Sequence, residues 1–262
     1  MHLIEYNDVQ DETSMNSSPP QIPVQPSPLK AGLPNLAKAI DGREAVKIVT
    51  LGSSTMEGEG GIVAFPYRLE AALRKAYQDR HPNQRRMIDV LNRGIGGEEA
   101  PKEFDRIEVD VIAEEPCLVI WQLGTNSVWQ DPKSTPPPPS QKETIDALRN
   151  GVDRLLREGK IDIILMDLQY VPAVLTPATC KAATDMVLAI AEVASDKKVN
   201  LFQRFELMKT WHELEGISFD TMVDPTDPNR LHDSDWATQR LVGALNQIIW
   251  DVIDKAQVPR PS

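Results

Sequence analysis

The sequence predicts an α/β protein, a three-layer α/β/α sandwich around a mainly parallel five-stranded sheet. Three observations lead there. Short β-branched, apolar runs alternate with longer stretches whose apolar residues recur every three or four positions, the pattern of strands separated by helices. The short runs are almost continuously apolar, as strands covered on both faces are. Several of them end abruptly in glycine-containing segments, and open α/β sheets place their chemistry at the carboxyl ends of their strands.

The elements follow in order. Six prolines fall between Pro19 and Pro34 among Ser, Gln and Asn, with no apolar period. Residues 1–35 therefore read as a polyproline-leaning tail or linker, and 36–262 as the folded domain. A short helix runs from Leu36 to Ile40, and Asp41-Gly42 makes a turn. Strands are expected at 46–51, 87–91, 117–123, 161–167 and 199–203. Helices are expected at about 64–80, 100–114, 141–158 and 178–196, with right-handed crossovers. Pro66 falls in the first turn of its helix, where proline is tolerated. A closing helix, about 235–255, carries Leu241, Ala244, Leu245, Ile248, Ile249 and Val252 on one face. Pro132 and Pro136 to Pro139 interrupt the order after the third strand. Four consecutive prolines form a stiff segment that cannot be helical. It reads either as a wall of a substrate cleft or as a surface spacer, and loop 132–140 is expected to border the cleft.

Composition limits the function. A chain of 262 residues can bury a full core, and 41% hydrophobic with 26% charged residues is ordinary for a globular protein. A net charge of −11 argues against nucleic acid and anionic lipid as partners. No apolar run approaches the ~20 residues of a membrane span. The start, Met1 to Tyr6, lacks the basic-then-apolar pattern of a signal peptide, so a soluble, cytoplasmic protein is the default expectation, and a secreted or periplasmic one if a leader was removed. Cys117 and Cys180 are too few for a disulfide scaffold and are expected to be buried free thiols.

Four segments carry chemistry. Val46 to Leu51 ends in Gly52-Ser53-Ser54, which delivers a serine to the sheet edge. Asn92-Arg93-Gly94-Ile95-Gly96-Gly97 follows the second strand, and its glycines allow backbone N–H groups to approach a ligand. The same glycines admit a phosphate nest, but they lack the G-x-G-x-x-G spacing and the P-loop lysine of nucleotide sites. Gly124-Thr125-Asn126 closes the third strand and can aim an amide across the sheet. Of four histidines, His2, His81 and His212 read as surface residues. His232 lies in the loop before the last helix, a sensible place for a base that reaches a serine on the first strand.

Together these segments resemble the SGNH (GDSL-type) hydrolases, a family of esterases and lipases with a flavodoxin-like fold. The resemblance covers roughly four fifths of the chain. It implies Ser54 as nucleophile, Gly97 (backbone N–H) and Asn126 (side-chain amide) as oxyanion donors with the N–H of Ser54, and His232 as base. It also implies a carboxylic ester hydrolase that needs no cofactor or metal and acts on short acyl esters of small molecules or carbohydrates. Two positions depart from the pattern. Ser53 stands where the family has Asp, and Asn229 stands three residues before the histidine, where the family carries its acid. The group that orients His232 is left open between Asn229, Asp227 and a backbone carbonyl, with Asp224, Asp233 and Asp235 as poorer choices. A weakened triad supports the alternative of an SGNH-fold binding or scaffold protein.

Overall fold

The computed structural model describes residues 26–42, 45–58, 60–129 and 137–257. Tail residues 1–25 and residues 130–136 of the proline loop, with the expectations placed on them, lie outside the described residues. The elements are α1 (Pro34–Asp41), β1 (Val46–Gly52), α2 (Ser54–Glu57), α3 (Phe65–Arg80), β2 (Ile88–Gly94), α4 (Ala100–Asp105), α5 (Ile107–Asp110), β3 (Leu118–Gln122) and α6 (Thr125–Val128). They continue with α7 (Gln141–Leu156), β4 (Asp162–Met166), α8 (Cys180–Lys197), β5 (Asn200–Phe202), α9 (Arg204–Glu213), α10 (Phe219–Met222) and α11 (Asp235–Gln257).

All five strands are parallel, in the order β2-β1-β3-β4-β5. This is the flavodoxin-like order, in which the chain reverses direction across the sheet between β1 and β3. Ligands in such folds bind in the crevice at that reversal. Ser54 follows β1 and Asn126 follows β3, so the switch point lies between the two candidate segments. The strands are buried on both faces: Ile48, Val49, Leu51, Val119, Ile120, Trp121, Ile164 and Leu165 have no exposed surface. Helices α3 and α11 pack on each other beside β2, while α4, α7 and α8 form a second packed group. Gly151 of α7 makes room for the Trp121 ring, since a Cβ there would stand 2.4 Å from it.

The long helix expected over 100–114 is broken into α4, α5 and a 3-10 turn at Ile112–Glu114. The break falls at Arg106 (φ −103°, ψ 6°), whose guanidinium binds Glu98 and Asp110 and fixes the bend. Helix α9 was not anticipated, because its buried set includes Arg204 and Thr210 as well as apolar residues and its period is therefore masked. Cys180 is exposed at the start of α8, contrary to expectation. Cys117 is half-buried, and burial, followed by the charge of Asp162, pushes its thiol up to about 12.

Packing begins ahead of residue 36. Leu29 and Leu33 are buried in the main core, and Asn200 of β5 clasps the preceding chain, accepting from the N–H of Ala31 and donating to the carbonyl of Gly32 (2.9 and 2.8 Å). Leu33→Ala is therefore expected to cost about 2–5 kcal/mol, seen as a lower urea midpoint with an unchanged slope. A midpoint equal to wild type would mean that this segment only rests on the domain.

Candidate active site

Helix α2 begins at the serine. Ser53 sits just ahead of it in extended conformation, and both its N–H and its hydroxyl donate to Oε1 of Gln122 at 3.1 Å. Gln122 ends β3, so the residue that stands in place of the family's Asp braces the Ser54 loop against the neighbouring strand. Gly94 lets this helix lie directly on the end of β2, since a Cβ there would come within 2.1 Å of the Glu57 nitrogen.

Ser54 Oγ lies 3.0 Å from Nε2 of His232. Nδ1 of the same ring lies 2.8 Å from Oδ2 of Asp227. That oxygen also accepts the N–H groups of Leu231 and His232, while Oδ1 accepts from the N–H of Asn229, each at 2.8 Å. Burial opposes ionisation of Asp227, but the backbone donors of His232, Leu231 and Asn229, with the imidazole, outweigh it and hold the carboxyl below its usual range.

Of the groups left open by the sequence, Asp227 and not Asn229 faces the histidine, which corrects Asn229 as a candidate site residue. Its side chain is exposed, and it contributes a backbone N–H to Asp227 instead. The reason is local winding. Arg230 adopts a left-handed conformation (φ 54°) and its N–H bonds to the carbonyl of Asp227. The loop thus curls around the Asp227 carboxylate, which reaches His232 from five residues back rather than three.

The glycine loop runs beside the serine. The Ile95 N–H donates to the carbonyl of Gly52 at 2.9 Å, and a Cβ on Gly96 would stand 3.9 Å from Cβ of Ser54. Glu57 secures the loop by accepting the N–H of Gly96. Gly97 is exposed, with φ 75°, a conformation that glycine adopts without strain. Among the described residues the N–H groups of Ser54 and Gly97 donate to no protein acceptor. Asn126 Nδ2 donates to the carbonyl of Glu98 at 2.8 Å, which ties the amide to the glycine loop and leaves its second hydrogen uncommitted.

Beneath Asn126 lies a carboxylate that the sequence did not single out. Glu99 is buried, and it accepts the N–H groups of Gly124 (2.8 Å), Ser127 (3.2 Å) and Ala100 (3.1 Å). Burial raises its pKa, while these backbone donors pull it down. Glu103 is also buried and accepts from the Trp121 indole at 2.7 Å. Burial first, then the charge of Glu99, raises its pKa well above the usual range. A pair of acids spaced four apart on a helix start carries no sequence signal that separates this role from a solvated face.

A cavity of about 30 Å³ lies beside Ser54, bounded also by Gly58, Ile62, Phe65 and His232 among others. A larger cavity of about 540 Å³, between residues 27–31 and α8, contains none of the candidate site residues. Among the described residues there is no cluster of metal-ligating side chains, and no helix is long and apolar enough to cross a membrane.

Comparison with known proteins agrees with this architecture. A catalytic mutant of the acetylxylan esterase from Geobacillus stearothermophilus superposes with a TM-score of 0.62 at 21% identity, covering 79% of this chain and 96% of that one. A lipase/acylhydrolase from Enterococcus faecalis gives a TM-score of 0.60 at 17% identity, covering 83% and 100%. A further acetyl xylan esterase gives 0.62 at 15% identity, covering 78% and 100%. At these identities the likeness is one of fold. No curated protein matches the sequence significantly. The model of the Non-GDSL lipase-like family matches residues 20–255, nearly the whole chain, and with the five-stranded parallel sheet and its serine-bearing edge this protein belongs to that family of SGNH-type hydrolases.

Proposed function

We propose that the protein is a serine ester hydrolase acting on short acyl esters, O-acetyl groups on carbohydrate being the first class to test. The observation that carries this reading is the chain of contacts from Ser54 through His232 to Asp227. His232 Nε2 takes the hydroxyl proton as Ser54 Oγ attacks the ester carbonyl. The negative charge that forms on the carbonyl oxygen is met by the N–H groups of Ser54 and Gly97 and by the Asn126 amide, each such donor typically worth about 10² to 10³ in rate. The ester C–O bond then breaks, and the imidazolium returns its proton to the departing alcohol. Water attacks the acyl-serine with His232 again as base, and the acid is released. Asp227 holds Nδ1–H, which selects the tautomer and balances the imidazolium charge.

The cavity supports a short acyl group. A single water needs roughly 10–15 Å³, so about 30 Å³ beside Ser54 suits a methyl group and little more. Two of the structural neighbours named above are acetylxylan esterases, which supports the same class. The alternative of a fold kept without turnover drew its support from a missing acid, and Asp227 removes that reason.

The test is p-nitrophenyl ester hydrolysis across acyl lengths, with intact-mass detection of an acetyl adduct mapped to Ser54. Acetate is expected to exceed butyrate, and Ile62→Ala is expected to narrow that gap by about tenfold, since one methylene in a pocket is worth roughly 1–3 kcal/mol. Absence of both turnover and adduct would overturn the reading. Equal rates on acetate and octanoate would overturn the acyl assignment alone.

A further inference from the structure

Gln169 follows β4 and is almost fully buried. Its side-chain amide makes three contacts. Oε1 accepts from the Thr125 hydroxyl (2.8 Å) and from Nη2 of Arg204 (2.7 Å), and Nε2 donates to the carbonyl of Leu231 (3.1 Å). A guanidinium only donates, so the oxygen must face Arg204 and the amide's orientation follows from chemistry. Thr125 immediately precedes Asn126, and Leu231 immediately precedes His232. One amide therefore spans the two segments that carry the oxyanion donor and the base.

Arg204 is the seat of this amide. It has no exposed surface, and its Nε donates to the carbonyl of Asp167 at 2.9 Å. Its Nη1 stands 3.7 Å from Oδ2 of Asp233, the residue after His232. The guanidinium thus touches the base loop from beneath as well as through Gln169. Nη1 of Arg204 and Oδ1 of Asp233 are buried without a hydrogen-bond partner, so this charged network costs desolvation, and what it contributes is a fixed position for the amide more than stability.

We propose that Gln169, seated on Arg204, is a positioning residue that sets the separation between Asn126 and His232. The proposal rests on the esterase reading of these two residues. During acyl transfer the oxyanion donor and the base must engage the same tetrahedral carbon at once, yet they come from segments far apart in the chain. A misplacement of about 1 Å can cost 10²-fold in rate. Gln169 joins the two loops directly, so a shift of either is transmitted to the other.

Three variants separate the two arms. Gln169→Met keeps the volume and removes every hydrogen bond. Gln169→Glu keeps the acceptor for Thr125 and Arg204 but turns an acceptor toward the Leu231 carbonyl, so only the His232 arm is lost. Thr125→Val removes only the Asn126 arm. For Gln169→Met, kcat on p-nitrophenyl acetate is expected to fall about 10²-fold with KM within about threefold. Gln169→Met and Thr125→Val are expected to combine less than additively, because they break one shared network. A readout independent of turnover is the Nδ1–H proton resonance and the ring 15N shifts of His232 by NMR. These are expected to move in Gln169→Glu and to stay put in Thr125→Val. A cooperative thermal transition identifies folded variants. If Gln169→Met does not fold, the other two variants decide. Folded variants with lowered stability but unchanged kcat and unchanged His232 resonances would overturn the proposal and leave Gln169 a purely structural residue. If the wild type hydrolyses no ester, the catalytic reading fails by itself, and the His232 resonances in Gln169→Glu still decide whether the strut exists.

Discussion

Asp227→Asn is expected to lower kcat on p-nitrophenyl acetate by about 10⁴, the loss typical when the acid of such a triad becomes an amide. The geometry says why. Oδ2 accepts from Nδ1 of His232 and from two backbone N–H groups, and Oδ1 accepts from a third. Only an ionised carboxylate offers acceptors on both sides. An amide must point its NH₂ either at the histidine, forcing the wrong tautomer, or at the Asn229 N–H, where two donors collide. Asn229→Asp, by contrast, adds an exposed acid that does not reach the ring, and its rate is expected to stay within about threefold of wild type. Were no other acid bound to His232, the same change would instead raise the rate by about tenfold. Asp227 is held below the usual carboxylate range, so the sign of its linkage is plain. It stabilises the fold above the unfolded pKa near 3.9, and that contribution is lost only as pH falls through its lower folded value. Assays near neutrality therefore see a constant anion. A tenfold gain in Asn229→Asp with normal turnover in Asp227→Asn would show that the working acid is elsewhere.

Ser54→Ala is expected to have the largest effect, a fall in kcat of about 10⁵ to 10⁶, as in serine hydrolases where the nucleophile is removed. What remains should come from the donors of Gly97 and Asn126 and from substrate binding. The substitution deletes one half-exposed hydroxyl, so the unfolding midpoint should barely move. Combining Ser54→Ala with Asp227→Asn should lower the rate no further, because base and acid act only through the nucleophile. The control is labelling of the wild type, but not the variant, by a fluorophosphonate. Full activity in Ser54→Ala would remove Ser54 from the chemistry and direct attention to another nucleophile.

Much of the fold was legible in the sequence, because its signals are local. Each strand is a short apolar run and most long helices carry an apolar stripe, and these survive translation into structure with ends shifted by up to three residues, whereas the helix expected over 100–114 breaks at Arg106. Ser54, Gly97, Asn126 and His232 were readable as candidates for the same reason. Each sits in a compact motif at the end of a strand or before the last helix, and parallel topology brings strand ends to one edge. Tertiary structure decided what depends on where distant groups meet. Asp227, rather than Asn229, faces His232 because Arg230 adopts a left-handed turn that spacing rules do not contain. Glu99, Gln169 and Arg204 are polar residues in unremarkable contexts, and their partners lie on other strands' loops, so no pattern in the chain marks them. Leu29 and Leu33 sit in a proline-rich stretch that reads as linker, and tertiary contacts, among them the clasp of Asn200 and the bonds from Asn35 and Leu36 to Asp162, make it part of the core. Local preference writes the elements and the motifs, while the charge partners of a buried site are set by packing across the sheet edge.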